Sequence, residues 1–245
     1  MFLFSGVGIS SHVWAEEEII VSAASSLTSV MKAVQKSFEA SDANVKLICN
    51  FASSGSLLQQ IKLGAPVDIY LSASDHFMDR AEKDGLIIKE TRTQFAANRL
   101  VLIVPAVSPY NELQPDDLKK TAFKRIAIGN PKIVPAGLYA KNALVHAGIR
   151  EALKDKFIFG NSVRQVLDYT MRGEVDAGFV YATDAIAAGD KVKTVMTIEN
   201  TGPVNYPVAV TSASGHKAIA LKFTRFVKSK KGASVLAAFG FNTLD

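Results

Sequence analysis

Two pairs of serines stand where an apolar run gives way to helical periodicity: Ser25 and Ser26 after "EIIVSA", and Ser53 and Ser54 inside "CNFASSGSLLQQIKLGAP". Two further corners have the same setting without the pair, Pro135-Ala136-Gly137 ahead of "LYAKNALVHAG" and Asn161-Ser162 ahead of "VRQVLDYTMRG". A helix start leaves about four backbone N–H groups without intrahelical acceptors, and the macrodipole adds roughly half a positive charge there. Short hydroxyl and amide side chains commonly cap those donors, so each corner taken singly is ordinary N-capping. The set implies more. In an open α/β sheet the carboxyl ends of the strands face one crevice, and helix N-termini that converge there, with hydroxyls and no bulky cation, suit an anion.

The elements that must carry these corners are legible as an alternation. Strand-like runs "EIIVSA", "VKLICNFA", "VDIYLSA", "RIAIG", "KFIFG" and "AGFVYA" alternate with segments of helical period, which predicts an α/β architecture with mostly parallel sheets. Leu27, Val30, Met31, Val34 and Phe38 recur at i, i+3, i+4, i+7 and i+11, and Val163, Val166, Leu167 and Met171 keep that spacing before Gly173 at a helix-ending position. Two apolar runs break the alternation, "RLVLIVPA" (99–106) and "YPVAVTSA" (206–213), each preceded by a polar or turn-rich patch. They read as the strands by which the chain enters a second lobe and returns. The expected division is residues 16–96 plus 207–245 as one lobe and 97–206 as the other.

Composition narrows the function. The chain has 245 residues, 48% of them hydrophobic and 21% charged, with no charge block or low-complexity tract, which excludes disorder and allows a sizeable core. The net charge of +5 is dispersed and not interleaved with aromatics, so no nucleic-acid partner is expected. After residue 15 no apolar stretch is long enough to span a bilayer. Cys49 is the single cysteine; it excludes an intrachain disulfide and argues against a thiolate metal site, and the alternation of "VKLICNFA" places it at a buried strand position. No enzyme is expected. Ser29 and Lys32 match S-x-x-K inside an amphipathic helix without the companion motifs, His76, His146 and His216 lack ligand spacing, and no nucleophile elbow, Walker loop or H-E-x-x-H is present. The start, "MFLFSGVGISSHVWA" before "EEE", has the small residue and spacing of the end of a secretory signal, so cleavage is expected after Ala15, leaving 1–15 as a signal remnant.

Seven segments, in order, carry a family resemblance: "AASSLTSVMKAV", "NFASSGSLLQQI", "GAPVDIYLSAS", "NRLVLIVP", "GNPKIVPAGLYAKNAL", "SVRQVLDYTMRGEVDAGFVYATDA" and "YPVAV". Together the chain resembles the periplasmic molybdate- and tungstate-binding proteins of ABC importers. The resemblance implies a two-lobe, type II periplasmic-binding-protein fold, each lobe a sheet flanked by helices, with one tetrahedral oxyanion in the cleft. It also implies a monomer in the periplasm, no cofactor, and a membrane permease as partner. Matched residue by residue, it places ligand contacts on Ser26 and Ser54 through backbone N–H and hydroxyl, on Ala136 and Val163 through backbone N–H, and on Tyr181 through its phenol. These contacts go to the oxygens of the anion, with no direct ligation of the metal. From the residues alone Tyr181 reads equally as an amphipathic group at the core edge. Gly55 stands where many of the family continue the serine run, which implies a looser corner, and "NPKI" before Val134 leaves the nearby loop's shape open. The rival readings are a binding protein for sulfate, phosphate or a small organic acid, and an effector domain of a regulator.

Overall fold

The computed structural model describes residues 17–199 and 201–243, so the expected cleavage after Ala15 lies outside the described residues. The chain runs β1 (Glu17–Ala24), α1 (Thr28–Glu39), β2 (Val45–Ala52), α2 (Ser54–Lys62), β3 (Ile69–Leu71), α3 (Asp75–Lys83) and β4 (Thr93–Asn98). It continues with β5 (Leu100–Pro105), β6 (Ile126–Gly129), α4 (Pro135–His146), α5 (Arg150–Leu153), β7 (Phe157–Gly160), α6 (Val163–Met171), β8 (Ala177–Tyr181), α7 (Ala182–Ala188) and β9 (Val192–Thr197). It ends with β10 (Val204–Val210), α8 (Lys217–Lys228), α9 (Lys230–Ala238) and β11 (Asn242–Thr243).

The strands form two sheets, a six-stranded one in the order β11-β4-β10-β3-β1-β2 and a five-stranded one in the order β7-β6-β8-β5-β9. This is the α/β arrangement of two helix-flanked sheets that the sequence implied. The pairing is more mixed than expected. Parallel pairs join β1 to β2 and β3, and β6 to β7 and β8; β10 runs antiparallel to β3 and β4, and β5 antiparallel to β8 and β9. The reason is connectivity. Parallel neighbours need a crossover, which the β-α units supply, whereas β5 and β10 enter their sheets directly from the other sheet.

The chain changes sheet at Arg99 and again between Thr197 and Val204. Ala97 and Asn98 still pair with β10, as do Val204, Asn205 and Tyr206 with β4, so the changes fall a few residues away from the expected 97 and 206. The patch "TQFAANR" misleads because its polar ends hide a strand whose Phe95 and Ala96 are buried. Strand β9 escapes the sequence for a related reason. It is an edge strand in which Val192 and Val195 are buried while Lys193, Thr194, Met196 and Thr197 are at least partly exposed, so it does not look apolar.

Helix periodicity translates directly into packing. Val30, Met31, Val34 and Phe38 of α1 are no more than 3% exposed, and Phe38 meets Phe223 and Phe226 of α8 edge-on, each at 5.3 Å between ring centres. On the opposite face of the six-stranded sheet, α2 and α3 bury Leu57, Leu58, Ile61, Phe77 and Met78 over Tyr70. Gly173 ends α6 with φ +67, a left-handed conformation that favours glycine. Cys49 departs from its expected place in the core: β2 is an edge strand and the side chain is half-buried. Burial, with a further push from Glu39, raises its thiol to about 11, which disfavours the thiolate at neutral pH. Among the described residues no helix is long and apolar enough to cross a membrane.

Candidate functional site

Parallel strands point their carboxyl ends one way, and helices start where those strands stop. By that geometry Ser26 follows β1, Ser54 opens α2 after β2, Ala136 lies in the first turn of α4 after β6, Val163 opens α6 after β7, and Tyr181 ends β8. All five line one cavity of about 10 Å³ whose wall contains no charged residue. Each is at most 3% exposed. Three of the four corners reach this cavity with the residues that drew notice. The fourth reaches it through Val163 only, because the Ser162 hydroxyl caps its own helix, accepting from Gln165 N at 3.1 Å. Gly137 stays out of the wall and acts by contact: a Cβ there would lie 1.8 Å from the Gly129 carbonyl oxygen, so only glycine lets α4 seat its first turn against β6. A broader cavity of about 520 Å³ lies elsewhere, between the end of α4 and β9; size does not identify the site.

The two serines of a pair divide their work. Ser53 is the N-cap of α2, its Oγ accepting from Ser56 N at 3.4 Å, while Ser54 turns inward. Ser54 Oγ accepts from Ala73 N at 3.0 Å, and Tyr70 Oη donates to Ser54 O at 2.8 Å, which pins the start of α2 to β3 and leaves the Ser54 proton free. Ser26 Oγ lies 2.9 Å from Tyr206 Oη. Tyr181 Oη donates to Ala73 O at 3.3 Å, reaching from one sheet to the other. Burial lifts the Tyr181 phenol well above its ordinary range, so it is a donor and not a phenolate. With the first-turn N–H groups of α2, α4 and α6, the cavity offers hydrogen-bond donors and no fixed counter-charge.

Three features around the cavity escape the sequence. Arg164, next to Val163, donates from Nη2 to Ser29 Oγ at 3.0 Å and from Nε to Ser25 O at 3.3 Å, bridging the two sheets' helices. Its Nε also lies 3.1 Å from Oδ1 of the fully buried Asp184. Asp184 Oδ1 has no well-aligned hydrogen bond, and desolvation raises this carboxyl to about 6 despite the guanidinium. Ser29, the serine of the S-x-x-K match, is an acceptor for Arg164. Gly55 corrects an expectation: its N–H donates to Ile133 O at 2.9 Å, and a Cβ would lie 2.7 Å from Ile133 Cα. The corner is tight, not loose. The "NPKI" loop that meets it is a turn, with Val134 N on Asn130 O at 2.8 Å and Lys132 N on Asn130 Oδ1 at 3.1 Å. The available signal was a charge inside an otherwise uncharged segment, Arg164 in "SVRQV" and Asp184 in "YATDA".

Residues 19–242 match the family model of the bacterial extracellular solute-binding proteins. The chain is 34% identical to the molybdate-binding protein ModA of Haemophilus influenzae, over 98% of this chain and 95% of that protein. It is also 34% identical to the molybdate-binding protein ModA of Escherichia coli K12, over 98% of this chain and 96% of that protein. The structure of the periplasmic molybdate-binding protein of Azotobacter vinelandii superposes with a TM-score of 0.84 at 24% identity, covering 93% of this chain and 100% of that one, and shows the same fold. The match of almost the whole chain, with its two sheets and their shared cavity, makes this protein a member of the bacterial extracellular solute-binding protein family.

Proposed function

We propose that the protein captures molybdate or tungstate in the periplasm and delivers it, unchanged, to the membrane permease of an ABC importer, acting as a monomer. The observation that carries this reading is the convergence of Ser26, Ser54, Ala136, Val163 and Tyr181 on one buried, uncharged cavity. A doubly charged oxyanion loses water on entering, so its oxygens need several aimed donors. Backbone N–H groups and hydroxyls supply them without the grip of a buried cation. Each sheet with its helices forms one lobe, and the lobes meet at the cavity. Residues of both lobes line the cavity and are buried, so the ligand enters as the lobes part and is enclosed as they return.

Sulfate has the same charge and shape, so discrimination is geometric. Donors fixed on two lobes meet the longer metal–oxygen bonds, whereas a smaller anion leaves buried N–H groups unpaired at roughly 1–3 kcal/mol each. Titration calorimetry with molybdate, tungstate and sulfate tests this. The first two are expected to bind far more tightly than sulfate, and Tyr181→Phe to weaken molybdate by roughly 1.5–3 kcal/mol, the range for a hydrogen bond to a charged group. Ser26→Ala and Ser54→Ala are expected to act likewise. Sulfate bound as tightly as molybdate, or a Tyr181→Phe variant that binds molybdate like the wild type, would overturn the assignment.

A further inference from the structure

Tyr206 touches Ser26 but does not line the cavity. Its hydroxyl has two partners, Ser26 Oγ at 2.9 Å and Asn98 Nδ2 at 3.4 Å. The orientation of the Asn98 amide is set by its other end, because Oδ1 accepts from Arg99 N at 2.9 Å, which leaves Nδ2 to donate to Thr183 Oγ1 at 2.8 Å and to Tyr206. An amide nitrogen cannot accept, so the phenol proton has one destination, Ser26 Oγ. A serine whose oxygen receives that proton has its own proton left for the cavity. Packing fixes the ring in this position, since Tyr206 is fully buried and stands edge-on to Phe241 at 5.4 Å and to Tyr181 at 5.9 Å. The register of β10 shifts between Tyr206 and Pro207, the kind of irregularity that re-aims a side chain.

Building on the proposed oxyanion site, we propose that Asn98 and Tyr206 form a relay that fixes Ser26 as a donor to the bound anion, which makes Tyr206 a positioning residue of the site. The relay starts at the joint. Asn98 is the last residue of β4, Arg99 is where the chain changes sheet, and Thr183 belongs to α7 on the other side. The amide that sets the polarity of Ser26 is therefore the one that ties the two sheets together, so the donor is aligned only when the joint is in this arrangement.

A double-mutant cycle on molybdate affinity, read by calorimetry, separates this from a packing role. Tyr206→Phe alone is expected to raise the dissociation constant roughly three- to tenfold, and to change it less than about twofold in a Ser26→Ala background. Asn98→Asp gives a second cycle. Its carboxylate accepts the phenol proton, so Tyr206 must accept from Ser26 and the serine proton turns away from the cavity. The through-space repulsion of the new charge is common to both backgrounds and cancels in the cycle, leaving a larger loss with Ser26 present than without it. Equal factors in the two backgrounds, for both substitutions, would overturn the relay while leaving the oxyanion site intact. A wild type that binds no molybdate would overturn the site reading and the relay with it.

Discussion

Asp184 is fully buried, accepts from Tyr181 N with one oxygen at 3.3 Å, and faces Arg164 with the other. Desolvation outweighs the guanidinium and raises the carboxyl from 3.8 to about 6. A group whose folded pKa lies above its unfolded value binds more protons when folded, so its contribution to stability is full below about pH 4 and is lost as pH rises through about 6. Asp184→Asn removes this dependence. Urea unfolding of both proteins between pH 4 and pH 7 should show the wild type losing on the order of 2–3 kcal/mol relative to the variant as pH rises. A constant difference across that range would show that the buried carboxyl does not titrate there. At this scale the sequence reveals which residue types meet but not their division of labour. Ser53 and Ser54 are neighbours of the same type that both line the cavity, and only the position of Ala73 and Tyr70 makes one the helix cap and ties the other to β3.

The start of helix α2 meets the loop that leads into α4. The N–H of Gly55 in the first turn of α2 meets the carbonyl of Ile133, which immediately precedes the Val134 cap of α4, and no space remains for a side chain. A Cβ at Gly55 would also lie 2.8 Å from Phe77 Cε1 of α3, so Gly55→Ala should cost about 1–3 kcal/mol of overpacking both inside the six-stranded sheet's lobe and at the loop before α4. The expected outcome is molybdate binding weakened by up to about that amount, with a lowered unliganded urea midpoint from the Phe77 contact and a larger radius of gyration by small-angle scattering. Affinity equal to the wild type would mean that the contact is incidental. Helix periodicity exposes α1 and α6 because their apolar faces meet a sheet, and it fails for β9 because an edge strand buries one face only. The residues 217–238 that form α8 and α9 are not picked out by the alternation, although Ala220, Phe223 and Val227 recur at i, i+3 and i+7 on the buried face of α8 and Leu236 of α9 is buried. The strands that pair with helices have already ended there, so the alternation that reveals the other helices has no further beat.

At the scale of the molecule, the contacts that hold the two sheets together join residues far apart in the chain: Ser29 with Arg164, 135 positions away, and Ala73 with Tyr181, 108 positions away. No local spacing can show such pairs, which is why the cavity wall was legible through a family resemblance and the bridges around it were not. Those bridges also shape the response to ligand. An anion that fills the cavity adds donors' partners on both sides at once, so it binds the folded, joined form and not the unfolded chain. At a thousandfold excess over the dissociation constant such binding stabilises by about 4 kcal/mol, which for a chain of this size raises the melting temperature by about 8–16 °C. Molybdate and tungstate should each give that rise, and sulfate at the same concentration a much smaller one. Arg164→Gln should shrink the rise, since the bridge to Ser25 and Ser29 is lost while every cavity-lining residue named above remains. A small organic acid that raises the melting temperature where molybdate and tungstate do not would assign the cavity to a different ligand class.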